Sequence, residues 1–256
     1  MERRAAMNLE GKRILVTGAS SGIGRAVAVT AANLGATLVL TGRREDALAE
    51  TRAALARSET HRIISGDLAE ASFAAALPKE ATAEGPLDGF VHAAGICRAM
   101  PIGVVDERLL VESMQVNYFA FMLLMKSLSK KTFVNPGFSA VAVSSVSAEA
   151  GWAGGALYAG SKGAISAAVR ALAVELAPKG IRVNAVCPSN VQTPLFDALV
   201  GSVPGETAKR EALAAKQPLG LGEPEQVAAS ICFLLSDSAS FITGTNLPVD
   251  GGYLAQ

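Results

Sequence analysis

Short, nearly continuous apolar runs alternate along this chain with longer stretches whose apolar residues recur at helical spacing. "RILVTG" (13–18), "ATLVLTG" (36–42), "HRIISGD" (61–67), "LDGFVHAAG" (87–95), "SAVAVSS" (139–145), "IRVNAVCP" (181–188) and "TGTNLPVDGG" (243–252) read as strands. Between them, residues 23–34, about 45–57, from about 71, about 107–130 and 158–177 read as helices. Strands that are apolar on both faces and separated by helices predict a parallel sheet covered on both sides. The expected fold is α/β: a single doubly wound, Rossmann-type parallel sheet with helices on both faces, spanning residues 9–256 after a loose extension at 1–8. Residues 189–224 break the rhythm with "SVPGE" and "QPLGLGEPE". A long insertion of this kind in a compact domain is commonly a functional lid, and Leu195, Phe196, Leu199 and Val200 give this one apolar residues that a solvated loop does not need.

Composition narrows the function. The 256 residues are 50% hydrophobic, with 23 basic and 23 acidic residues. A zero net charge argues against nucleic-acid binding, which needs a basic surface to displace counterions. Cys97, Cys187 and Cys232 lie far apart without metal-ligand spacing, so no metal site is expected. Unpaired cysteines of this kind suit a reducing compartment. "MERRAAMNLEGK" lacks the apolar stretch of a signal peptide, and "YFAFMLLM" is too short to span a bilayer. The expectation is a cytoplasmic protein without a membrane partner.

Chemistry enters at two places. "TGASSGIG" (17–24) follows the first strand and opens the first helix, with Gly18, Gly22 and Gly24 spaced G-x-x-x-G-x-G. Glycines there permit a tight turn and close backbone approach, and the helix N-terminus offers N–H groups to a pyrophosphate. In "LYAGSKGAI" (157–165), Tyr158 and Lys162 stand four apart among small residues. On a helix this spacing places phenol and ammonium on one face. A free phenol has a pKa of about 10, and a neighbouring ammonium is expected to lower it toward the working range, so that Tyr158 exchanges a proton with a carbonyl oxygen. Ser145, at the end of a strand, is placed to hydrogen-bond that oxygen as charge develops.

Six elements in order then resemble the short-chain dehydrogenase/reductase family over residues 9–253: "TGASSGIG", "GDL" (66–68), "HAAG" (92–95), "QVNYF" with Asn117, "VSSVSA" with Ser145, and "YAGSK". The resemblance implies a catalytic set of Asn117, Ser145, Tyr158 and Lys162, with Lys162 also holding the nicotinamide ribose and Asn117 supporting a water chain to solvent. It implies dinucleotide contacts from Gly18, Ser20, Ser21, Gly22, Ile23, Gly24, Asp67, Leu68, Ala93, Ala94, Gly95, Tyr158, Lys162, Pro188, Val191 and Thr193. Two positions depart from the family pattern. His92 and Ala93 stand where two asparagines are usual, and His92 reads as a structural histidine bonded to backbone. Ser189 replaces a glycine after Pro188, which puts the backbone path there in question. His61 reads as solvated.

"LTGRRED" bears on the cofactor. An NAD enzyme is expected to carry an acid at the end of the second strand; here Thr41-Gly42 are followed by Arg43 and Arg44, whose guanidinium groups suit a 2′-phosphate. The alternative, ribose binding by Glu45 or Asp46, is weakened because both acids fit the first turn of a helix. NADP(H) is the expected cofactor. The apolar lid and Trp152 imply a mostly apolar pocket; among members of the family that the chain resembles, this fits a 3-oxoacyl thioester or similar apolar ketone as substrate, with a small hydrophobic or cyclic ketone as runner-up. Lys130, Lys131 and Lys179 read better as solvated lysines than as a docking patch for an acidic carrier. A catalytically silent dinucleotide sensor is the alternative from another class. Phe119, Phe121, Met122, Leu123 and Leu124, with the small-residue helix at 158–177, add an expected self-association to a homodimer or homotetramer, as the resemblance also implies.

Overall fold

A computed structural model describes residues 7–201 and 206–256; residues 1–6 of the expected extension at 1–8 and the "SVPG" part of the lid fall outside the described residues. Strands β1 (Arg13–Thr17), β2 (Thr37–Gly42), β3 (Arg62–Ser65), β4 (Leu87–His92), β5 (Val134–Val143), β6 (Arg182–Pro188) and β7 (Asn246–Val249) form one parallel sheet in the order β3-β2-β1-β4-β5-β6-β7. The helices are α1 (Gly22–Asn33), α2 (Glu45–Ala53), α3 (Ala71–Ala81), α4 (Glu107–Met114), α5 (Ala120–Leu128), α6 (Ala156–Leu176), α7 (Pro194–Val200), α8 (Glu206–Ala214) and α9 (Pro224–Leu235).

Successive side chains of a strand point to opposite faces, and both faces here are apolar. Ile14, Val16, Leu38, Leu40, Val91 and Val186 pack with α1 and α9 on one side. Leu15, Val39, Phe90, Ala140, Val183 and Ala185 pack with α3, α5 and α6 on the other. This two-sided burial is why the strands read as unbroken apolar runs.

Several expected elements change at their ends. The helix expected to reach residue 57 stops at Ala53, because Arg57 adopts a left-handed backbone (φ 56) and a short 3₁₀ turn follows at Ser58–Thr60. His61 is not solvated: it is 2% exposed, its Nδ1 accepts the Leu38 N–H at 3.1 Å and its Nε2 lies 2.8 Å from the Ala56 carbonyl. The turn after α2 folds back under β2 and carries the imidazole with it. The expected 107–130 helix is interrupted by a π turn at Gln115–Phe119, and β5 begins earlier than expected, at Val134. Helix α9 was not anticipated, although its start is marked in the sequence: Gln226 Oε1 accepts the Glu223 N–H at 2.8 Å.

The sheet order reverses direction between β1 and β4, the switch point where open α/β sheets bind ligands beyond the strand C-termini. Of residues 189–224, the described part meets this crevice at Thr193, whose Cγ2 lies against Gly22, and its two ends are pinned together. Val191 bridges Gly222, and buried Gln217 accepts the Asn190 N–H at 2.9 Å and donates to Gly220 O at 2.7 Å. The hydroxyl of Ser189 donates to the Asp250 carbonyl at 2.9 Å, so the residue that replaces a glycine ties the base of this segment to the C-terminal loop. Phe196 and Val200 are buried, which leaves Leu195 exposed and Leu199 half-buried. Among the described residues no helix is long and apolar enough to cross a membrane, and no cluster of side chains could hold a metal ion.

Candidate active site

The glycine turn is shaped by close approach. Gly18 has φ +66, and a Cβ there would lie 2.7 Å from the Ala94 nitrogen. A Cβ on Gly24 would fall 2.2 Å from the Gly18 carbonyl, and one on Gly22 (φ +52) 3.2 Å from Thr193 Cγ2. The turn therefore lies against the segments that follow β4 and β6, with Ala93, Ala94 and Thr193 beside it; Pro188 ends β6 and Val191 is buried between it and Thr193, whose hydroxyl donates to the Val191 carbonyl at 3.2 Å. Ser21 precedes α1 with an extended backbone, and its side chain makes no capping hydrogen bond. The helix N-terminus is thereby left for an anion, and Ser20, Ser21 and Ile23 are half-buried around it. Arg25, which the motif reading did not single out, donates to Ser20 O at 2.8 Å and to Thr51 Oγ1 at 2.9 Å, buttressing the turn from behind.

The end of β2 is followed by Arg43 and Arg44, both exposed and with no ion pair or hydrogen bond from either side chain among the described residues. Glu45 and Asp46 occupy the first turn of α2, as expected from the helix dipole, and Glu45 accepts a 3.4 Å hydrogen bond from Ser65. Asp67 Oδ1 accepts the Ala69 N–H at 2.9 Å, which shapes the turn after β3, and Leu68 is buried beneath it.

The four expected catalytic side chains converge. Tyr158 and Lys162 share one face of α6, with Lys162 Nζ 5.6 Å from the centre of the phenol ring. Lys162 is 3% exposed and donates to the Val143 carbonyl at 2.7 Å. Ser145 follows β5, is buried, and accepts the Ser147 N–H at 3.1 Å. Asn117 sits in the π turn with its side chain fully used: Oδ1 accepts the Ile96 N–H at 2.8 Å, and Nδ2 donates to Ile96 O at 3.0 Å and to Ser161 Oγ at 2.8 Å. Ser161 in turn donates to the Tyr158 carbonyl at 2.8 Å. Ser161 and Thr17 were missed as supporting residues, although both lie inside the recognised motifs. Gly95 completes the floor, since a Cβ there would stand 3.2 Å from Asn117 Oδ1 and 3.4 Å from Lys162 Nζ.

Electrostatics differ from the expectation. The ammonium does not draw the phenol down. Burial pushes the Tyr158 hydroxyl well above its ordinary value, with Cys97 adding to the rise and a hydrogen bond with Ser145 opposing it. Burial also pushes Lys162 down to about 8. Cys97 is itself pushed up to about 11 by burial, so at neutral pH it is a thiol and desolvation dominates the whole cluster. The site thus holds a protonated phenol beside a lysine that titrates near the working range.

A glycine turn and a half-buried Tyr158 beside a buried Lys162 at the switch point of a parallel sheet suit a dinucleotide-dependent oxidoreductase. Residues 18–254 match the family model described as enoyl-(acyl carrier protein) reductase. The chain is 37% identical to the L-rhamnose 1-dehydrogenase (NAD(P)(+)) of Sphingomonas sp., covering 95% of this chain and 96% of that one. It is also 37% identical to the cis-4-hydroxycyclohexanecarboxylate dehydrogenase of Sinomonas cyclohexanicum, with 94% and 96% covered. A solved structure described as a putative NAD(P)-dependent gluconate 5-dehydrogenase from Beutenbergia cavernae with bound NADP superposes with a TM-score of 0.90 at 34% identity, covering 98% of this chain and 100% of that one. The chain belongs to the short-chain dehydrogenase/reductase family. It is an oxidoreductase that uses a nicotinamide dinucleotide on carbonyl and alcohol groups.

Proposed function

We propose that this protein is an NADP(H)-dependent reductase of an apolar ketone, with a 3-oxoacyl thioester as the first substrate class to test. The observation that carries the cofactor choice is the unpaired, exposed arginine pair after β2, whose guanidinium groups match a 2′-phosphate. The glycine cradle of Gly18, Gly22 and Gly24, closed by Ala94 and Thr193, fits a pyrophosphate that backbone must approach closely. Lys162 and the backbone at Gly95 would hold the nicotinamide ribose. Asp67, Leu68, Pro188, Val191 and Thr193 would line the adenine and nicotinamide ends. When bound, the dinucleotide supplies the hydride for reduction or takes it in oxidation.

The chain's own residues handle the proton. Tyr158 keeps its hydroxyl proton at neutral pH because burial disfavours the phenolate, so it is ready to donate to a carbonyl oxygen. Ser145 Oγ offers a second hydrogen bond to that oxygen, where negative charge develops. Lys162 Nζ stands 5.6 Å from the phenol ring, where it would hold the ribose beside the donor, and Asn117, locked to Ile96 and Ser161, holds the floor on which both stand. Trp152, whose Nε1 donates to Ser147 at 3.1 Å, and exposed Leu195 would line an apolar approach.

The acyl-carrier description of the matching family model supports the thioester class. A ring ketone or ring alcohol is the second reading, favoured by the sugar and hydroxycyclohexane names of the two relatives. Comparing NADPH oxidation with acetoacetyl thioester, cyclic ketones and 4-oxocyclohexanecarboxylate decides between them: an inert thioester beside a turned-over ring ketone removes the first reading. For the cofactor, NADPH is expected to bind at least tenfold tighter than NADH, about 1.4 kcal/mol. Arg43→Ala should erase most of that gap, and equal affinities in the unaltered protein would dismiss the arginines.

Self-association is part of the proposal. Phe121 and Leu124, two of the residues expected to drive it, are buried within the chain itself. Leu110, Val111 and Phe119 on the long helix and Val174 on α6 are the exposed apolar residues on those two helices. We expect these to be covered in a homodimer or homotetramer, and light scattering giving a mass near 26.2 kDa would refute it.

A further inference from the structure

His92 closes β4 and is fully buried, its ring 6.1 Å from Phe90 and 5.6 Å from Phe121 between centroids. Both ring nitrogens have partners: Nδ1 lies 3.2 Å from Thr17 Oγ1, and Nε2 lies 3.2 Å from the carbonyl of Asn117. A carbonyl can only accept, so Nε2 must carry a proton. Burial holds the imidazole neutral, pushing its pKa down to about 3, with Lys162 adding to the effect. Nδ1 is therefore bare and accepts from the Thr17 hydroxyl, in preference to that hydroxyl's longer 3.4 Å contact with Val91 O. Thr17 Oγ1 still accepts the Ala94 N–H at 3.2 Å.

One chain of hydrogen bonds results. It runs from Thr17, the residue before Gly18 in the glycine turn, through His92 to the backbone of Asn117. From the Asn117 side chain it continues through Ser161 to the Tyr158 carbonyl. The π turn explains why the link reaches the backbone: Ala120 N–H bonds back five residues to Gln115 O, and the shifted ladder turns the Val116 and Asn117 carbonyls toward the imidazole.

Resting on the proposed roles of Tyr158 and Asn117, we infer that His92 is a positioning residue that fixes the Asn117 turn against the proton-donating face of α6. Its specific contribution is the Nε2–H donor, because a ring of the same shape without that donor leaves the Asn117 carbonyl unanchored.

The test compares three variants. His92→Phe keeps the ring between Phe90 and Phe121 and removes both hydrogen bonds. His92→Asn places its amide near the Nδ1 position and cannot reach the Asn117 carbonyl. His92→Gln extends an amide N–H to about the Nε2 position. Two readouts are taken on the full-length protein. Hydrogen–deuterium exchange of peptides covering residues 114–121 needs no substrate; His92→Phe and His92→Asn should exchange at least tenfold faster there, with His92→Gln close to the unaltered protein. Steady-state kinetics on a turned-over ketone should show kcat reduced at least tenfold in the Phe and Asn variants, with KM and the Kd for NADPH within about twofold and kcat largely restored in the Gln variant. Unchanged exchange in His92→Phe overturns the inference. So does a Gln variant as impaired as the Asn variant, or a kcat loss matched by an equal loss of NADPH affinity, which marks a general structural role. If His92→Phe does not fold, the Asn and Gln pair still decides. If no ketone is turned over, the proposed function fails, while the exchange result still judges the positioning of Asn117.

Discussion

Lys162→Met removes the one charge in the catalytic cluster while keeping a flexible side chain of similar length, and its effect on stability depends on pH in a calculable way. The unfolded chain holds the lysine proton until about pH 10.5, whereas the folded chain holds it only until about pH 8, because burial disfavours the ammonium. A folded pKa below the unfolded one means that the unfolded state binds more protons, so the cost is fully present below pH 8 and disappears as pH rises through 10.5. At about 1.4 kcal/mol per tenfold proton affinity, the buried charge costs about 3 kcal/mol at pH 7 and about 1 kcal/mol at pH 9.5. The hydrogen bond from Nζ to Val143 O, which the variant loses, contributes about 1 kcal/mol at either pH and cancels from the comparison. Tyr158 and the cysteines titrate in both proteins, so the difference between the two isolates the lysine. Urea unfolding of both proteins at pH 7, 8, 9 and 9.5 should show the unaltered protein gaining about 2 kcal/mol on Lys162→Met across that range. Stability curves that stay parallel from pH 7 to 9.5 would refute the desolvated lysine.

In the proposed mechanism alcohol oxidation has Tyr158 accept a proton, and burial raises its pKa, so the oxidation rate should climb without a plateau from pH 7 to 10; a plateau reached by pH 8 would assign proton acceptance to another group. Gly24→Ala places a Cβ 2.2 Å from the Gly18 carbonyl, a clash with backbone that no rotamer relieves. Fluorescence titration should find NADPH bound at least tenfold more weakly, about 1.4 kcal/mol, and unaltered binding would show that the turn relaxes freely.

The strand positions were legible because parallel strands buried on both faces announce themselves as apolar runs, as "RILVTG" does. Of the proposed catalytic set, Tyr158 and Lys162 were legible through spacing and Asn117 only through resemblance, and the structure places Lys162 beside the Tyr158 ring and Asn117 against Ser161 on the same helix. Other features depended on tertiary context. His61 looks like any polar loop residue, and only the left-handed turn at Arg57 carries it under β2. Phe121 and Leu124 look like surplus apolar surface in the sequence, but α5 packs them against the sheet beside α3. The direction of the Tyr158 shift was misjudged because four-residue spacing predicts proximity to an ammonium, while the depth of burial, which outweighs it, is not written in the spacing. Helix α9 was overlooked beside the glycines and prolines of the segment before it, although its Glu223–Gln226 start was in plain view.

The central claim is that Tyr158 moves the proton and is not required to build the site. Tyr158→Phe keeps the ring beside Lys162 and removes only the hydroxyl. Measured with NADPH and the best ketone found, kcat should fall at least about a thousandfold, on the scale of general acid catalysis, while the Kd for NADPH stays within about twofold. A variant that retains a tenth or more of the activity would contradict the account.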